Sequence, residues 1–148
     1  MATDFTRLWV DKHRPKKLDD LDFNPEVTEM LEKLAECQDL PHLIFYGPSG
    51  AGKKTRIISM LRKIYGQGLM KQSKETYVLK HNNKNLEIPL ISSKYHIDVT
   101  PCDLKNNDKL IIQNLVKGTA SSNQLSSDDQ KSFKTIILNE ADQLTHQA

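Results

Sequence analysis

The chain has 148 residues, 37% hydrophobic and 27% charged, with a formal net charge of +2. That length suits one domain, and no apolar run approaches the roughly 20 residues that a membrane helix needs. The charge is too mild to argue for nucleic acid by itself, and the polar start Met1-Ala2-Thr3-Asp4 with the short run Leu8-Trp9-Val10 is no secretion signal.

Residues 1–23 read as an arm and not a helix, because Pro15 pushes Arg14 toward extended backbone. Asn24-Pro25-Glu26 reads as a helix start, with Asn24 as N-cap and Pro25 in the first turn. Val27, Met30, Leu31 and Leu34 then share one face, and that helix should end near Cys37. His42-Leu43-Ile44-Phe45-Tyr46 is a short apolar run, read as a buried strand. After a glycine-rich turn, Ile57, Ile58, Leu61, Ile64 and Tyr65 recur at helical spacing until Gly66-Gln67-Gly68 stops the helix. Residues 70–93 are polar with short alternating runs and read as a hairpin or a loose loop. Tyr95 to Val99 alternates and ends at Pro101, the pattern of an edge strand. Asn107-Asp108 stands where it would cap a helix carrying Leu110, Ile111, Leu115 and Val116. Residues 121–132, rich in Ser, Asp and Gln, read as a mobile loop. Phe133 to Leu138 is a third strand, nearly all apolar toward its end. Strands alternating with helices imply an α/β layer fold with a mainly parallel sheet. Cys37 and Cys102 match no zinc or redox spacing and read as buried or half-buried thiols. Five scattered histidines give no metal site.

The turn after Tyr46 carries the chemistry. Gly47-Pro48-Ser49-Gly50-Ala51-Gly52-Lys53-Lys54-Thr55 meets the phosphate-loop pattern through Lys53 and departs from it at Lys54. Two glycines and a lysine at this spacing arise by chance in roughly 4% of chains this long; the apolar run before them and the helical spacing after them cut that further. The glycines let backbone N–H groups approach phosphate oxygens, and the following helix adds its positive end. Lys53 is placed for the β- and γ-phosphates and Thr55 for the phosphate nearest the sugar. Lys54 stands where a Ser or Thr hydroxyl would hold Mg²⁺.

Such a site needs an acidic pair after a second buried strand, an Asp to order Mg²⁺ and a Glu to polarise water. Asn139-Glu140-Ala141-Asp142 follows Ile136-Ile137-Leu138, so the Glu is present and Asn139 takes the Asp position. An ammonium at 54 and an amide at 139 alter both metal-supporting positions together. The residues therefore suggest a site that keeps ATP or ADP without efficient Mg²⁺-dependent hydrolysis, with no metal ligands and no catalytic residue assigned. The alternative is an active Mg²⁺-dependent ATPase using Glu140.

Three blocks resemble the small subunits of replication factor C, the AAA+ sliding-clamp loader. Leu8-Trp9-Val10-Asp11-Lys12-His13-Arg14-Pro15 resembles the family's Trp-Val-Glu-Lys-Tyr-Arg-Pro box, with His13 in place of the Tyr. Leu40-Pro41-His42 runs into the phosphate loop as it does there, and Asn139-Glu140-Ala141-Asp142 resembles the Asp-Glu-Ala-Asp box. The loop ending Gly-Lys-Lys-Thr, with Tyr95 to Pro101, is similar to the small-subunit type whose site is degenerate. The resemblance implies a P-loop AAA+ fold, with residues 1–23 as an arm bearing the adenine-side box and 24–148 as part of the nucleotide-binding domain. It implies base-side contacts from Val10, Arg14 and Pro15. It also implies a nuclear hetero-pentamer with other replication factor C subunits, acting on the sliding clamp and primer–template DNA in replication and repair, with no membrane. The helix near Asp108–Lys117 is either clamp-facing or plain core packing.

Against that family the sequence ends before the sensor strand, arginine finger, lid and collar. The sensor strand lies centrally in the family's sheet, so poor stability of the isolated chain is expected, with strand edges open to pairing. A truncated product that binds nothing well is the remaining alternative.

Overall fold

A computed structural model describes residues 8–37, 39–66, 72–81, 84–101, 108–121 and 133–145. They fall in two compact units, Met1–Gln67 and Gly68–Ala148.

The first unit is helical. A single turn, α1 (Trp9–Lys12), opens it, closed by amide donation from Asp11 and Lys12 to the Leu8 carbonyl at 2.9 Å. The arm therefore contains a helical turn that the sequence did not suggest. Pro15 restricts only Arg14 before it, which leaves residues upstream free to coil. Further along the arm, Leu18 is buried against Leu31, Ala35 and Met60.

Helix α2 (Pro25–Glu36) starts with Pro25 in its first turn, as expected. Asn24, however, makes no side-chain cap; it sits in the left-handed region at φ 55°. Capping needs an extended residue there, so that the side chain faces the first amides; Asn24 offers its carbonyl to Val27 and Thr28 instead. The buried stripe is Leu31 and Ala35 with Leu34 partly covered, while Val27 and Met30 stay exposed. Cys37 follows the helix and is exposed, its thiol donating to the Lys33 carbonyl at 3.3 Å. The expected burial fails because the chain has left the packed stripe by that point.

Helix α3 (Lys53–Tyr65) runs between two left-handed glycines, Gly52 and Gly66, and both ends match the sequence. Its packed face is Arg56, Ser59, Met60 and Leu61, and Met60 enters the α2 core beside Ile64 and Phe45. Burying Met60 and Leu31 stabilises this unit by about 1.5–3 kcal/mol each. Lys63 bridges back to Glu32 and Glu36 on α2 at 3.2 and 3.6 Å.

Residues 42–46 form no strand. Ile44 is 89% and Tyr46 92% exposed, and only Phe45 packs inward. A strand exists through its ladder, and the described sheet contains no partner for this segment.

The second unit is a four-stranded sheet in the order β1-β2-β3-β4 with a helix. Strands β1 (Ser73–His81) and β2 (Lys84–Ser92) form a full antiparallel hairpin, one of the two forms open for residues 70–93. Strand β3 (His96–Val99) pairs antiparallel with β2 and parallel with β4 (Thr135–Leu138). Its expected place at an edge is thus corrected, because the hairpin adds two strands outside it. The α/β class holds. The parallel pairing lies at β3–β4, and the hairpin makes the described sheet mixed. Helix α4 (Asp108–Ser121) lays Ile111 and Leu115 against Leu79, Ile88, Leu90 and Val99, and Val116 points out, 50% exposed. Asn107, Cys102 and the Ser-rich stretch after Ser121 lie outside the described residues. No described helix is long and apolar enough to cross a membrane.

Candidate nucleotide-binding site

In the first unit the glycine loop leads directly into α3. Gly50 and Gly52 hold φ of 80° and 76°, a region that costs most other residues roughly 1–3 kcal/mol. The Ala51 amide donates to the Pro48 carbonyl and tightens the turn. The Lys53 ammonium folds over the loop and donates to the carbonyls of Gly47 and Pro48, each at 2.8 Å. First-turn amides of a helix have no intrahelical acceptor and carry the positive end of its dipole. No acidic residue occupies the first turn of α3. Left-handed glycines, two lysines and the start of a 13-residue helix therefore suit a phosphate chain, and Lys54, in the first turn of α3, is exposed.

The N-terminal box reaches the same place. The Arg14 guanidinium donates to Thr55 Oγ1 at 3.3 Å and bonds Asp11 at 3.0 Å. Trp9 tilts against His13 with ring centroids 5.4 Å apart. Val10 is exposed on α1 and Pro15 is half-buried. Of the three base-side candidates, Arg14 is thus the one joined to the phosphate loop by a hydrogen bond.

Arg56 was not singled out from sequence. It is buried, and its guanidinium donates to Thr28 Oγ1 at 3.0 Å and to the Phe23 carbonyl. It ties the start of α3 to α2 and the arm. Its spacing from Ser59 and Met60, on one helical face, was the signal available.

The acidic turn lies in the second unit. Beyond β4, the Asn139 amide donates to the Val99 carbonyl at 3.0 Å and extends the parallel ladder by one step. The Asn139 side-chain amide donates to Asp98 Oδ1, to the Val99 carbonyl at 3.2 Å and to Thr100 Oγ1 at 3.4 Å. Glu140 takes the left-handed region at φ 51° and heads a 3-10 turn, Ala141–Gln143. Its carboxylate accepts from the Gln143 side chain at 3.1 Å. The turn is anchored at its far end, where Thr145 donates its amide (2.6 Å) and hydroxyl (3.0 Å) to the buried Asp108 carboxylate. That backbone donation, against the opposing pull of burial, holds the Asp108 carboxyl below its ordinary range. Among the described residues no three His, Cys, Asp or Glu side chains converge.

A glycine loop capped onto a helix, within an α/β chain that also carries an acidic turn after a parallel strand, defines a P-loop nucleotide-binding protein. The model of the Rad17 P-loop domain matches residues 1–140. The chain belongs to that family. It is 46% identical over 142 residues to replication factor C subunit 3 of Bos taurus, covering 95% of this chain and 40% of the relative. It is 44% identical to replication factor C subunit 5 of Neurospora crassa, with the same coverage, and 44% identical to that of Saccharomyces cerevisiae, covering 95% and 42%. The resemblance read from the three boxes thus extends over almost the whole chain. The chain spans about 40% of the length of the curated relatives it matches.

Proposed function

We propose that the chain supplies the nucleotide cradle of a replication factor C small subunit of the subunit 3/5 type. Its site holds ATP or ADP without efficient Mg²⁺-dependent hydrolysis. Gly47, Pro48, Ser49, Gly50, Ala51 and Gly52 wrap the phosphates with backbone amides. Lys53 exchanges its loop carbonyls for phosphate oxygens, Lys54 adds charge where a metal would otherwise sit, and Thr55 takes the phosphate nearest the sugar. Val10, Arg14 and Pro15 lie on the base side, with the Arg14–Thr55 hydrogen bond supporting that placement. The arm is residues 1–23, and 24–148 belong to the nucleotide-binding domain.

The observation that carries this is the paired change at positions 54 and 139. An ammonium and an amide replace the two groups that order Mg²⁺ in such sites. Bound nucleotide then serves assembly, and hydrolysis falls to neighbouring subunits of a nuclear hetero-pentamer. That assembly would place a sliding clamp on primer–template DNA in replication and repair. The test is steady-state ATP turnover with saturating Mg²⁺. Turnover at least a hundredfold below that of an ordinary AAA+ ATPase is expected. A rate typical of such an enzyme would favour the active reading, with Glu140 as the water-polarising group.

A further inference from the structure

The arm is tied to α3 along its length. Arg56 donates to the Phe23 carbonyl, Arg62 donates to the Lys16 carbonyl at 3.3 Å, and Leu18 is buried in the cluster that holds Met60. Lys16 is two residues from Arg14, so these ties hold Arg14 at the start of α3. There its guanidinium spans Asp11 at 3.0 Å and Thr55 Oγ1 at 3.3 Å. A guanidinium only donates, whereas a hydroxyl has one proton and two lone pairs. Arg14 therefore takes an accepting side of the Thr55 oxygen and leaves its proton to be given elsewhere. A helical threonine can give that proton to the carbonyl four residues back, as Thr119 does to Leu115 at 2.6 Å. Among the described residues the Thr55 proton has no such acceptor. Thr55 stands in the first turn of α3, behind the glycine loop, where the positive helix end favours an anion.

We infer that Arg14 is a positioning residue that commits the Thr55 hydroxyl to donate toward the phosphate nearest the sugar. Asp11 holds Arg14 in this role, and a cationic donor on the oxygen strengthens the proton that the oxygen gives. This goes beyond a base-side placement of Arg14, and it rests on the proposed function in reading Thr55 as a phosphate contact.

The experiment is a double-mutant cycle on the whole chain, read as ADP affinity by calorimetry. Thr55→Val keeps the shape, removes the hydroxyl and should weaken ADP about tenfold, the size of one hydrogen bond to a charged group. Arg14→Met should weaken ADP about fivefold in wild type and less than about twofold in the Thr55→Val background, because residues acting through one another are not additive. Thr55→Ser keeps the hydroxyl, and in that background the full loss from Arg14→Met should return. An equal loss from Arg14→Met in all backgrounds would overturn the inference, since a direct contact with nucleotide or a loosened arm acts without the hydroxyl. Wild-type affinity in Arg14→Met would overturn it too. Should Thr55→Val fail to fold, Thr55→Ala gives the same comparison. A wild type that binds no ADP would remove the proposed function and this inference with it. An additive cycle on a chain that binds ADP would remove the inference alone.

Discussion

Asp108 shows how a single side chain holds the turn after β4. Thr145 donates both its amide and its hydroxyl to this carboxylate, and the Lys109 amide adds a third bond at 2.7 Å. Because the folded-state carboxyl lies below its ordinary value of 3.8, its contribution is complete above that value. It disappears as pH falls through the lowered one. The protection factor of the Thr145 amide, its exchange relative to the intrinsic rate at the same pH, should therefore fall on acidification below about pH 4, the ordinary carboxylate range, and Asp108→Asn should remove that dependence. An Asn variant with the wild-type acid profile would show that another group sets it. The glycine loop and the start of α3 were readable in advance, since each follows from local spacing. The partners of Asp98 and Asp108 were not readable, because they come from residues 41 and 37 positions away.

At the scale of elements, α3 was the most legible. Its start follows from the glycine loop and its end from Gly66, which are local facts. The segment 42–46 was the least legible. Its apolar content marks it as a strand, but a strand also needs a neighbour, which composition does not reveal. Likewise β3 looked like an edge because it ends at Pro101, and the hairpin beside it made it internal. Arg56 joins α2 and α3 through a hydrogen bond, and Met60 joins them through packing. Changing Arg56→Met keeps the apolar contact and leaves the Phe23 carbonyl and Thr28 hydroxyl without their donor. It should destabilise the pair by about 1–3 kcal/mol, seen as faster hydrogen exchange of the α3 amides. Unchanged protection would mean that packing alone sets the register.

For the whole molecule, the apolar side chains that the first unit leaves exposed, Trp9, Phe23, Ile44 and Tyr46 among them, imply poor stability. We predict a shallow urea transition. A single cooperative unfolding with the m-value of a complete 148-residue domain would contradict this. The glycine loop is the feature most directly testable in this chain. The most direct measurement is ATP and ADP affinity with and without Mg²⁺. Under the proposed function, which reads Lys54 and Asn139 as replacing the metal-supporting groups, affinity should change by less than about threefold on chelation, well under a tenfold, 1.4 kcal/mol effect. A large loss of binding on chelation, together with ordinary turnover when Mg²⁺ is present, would contradict the account.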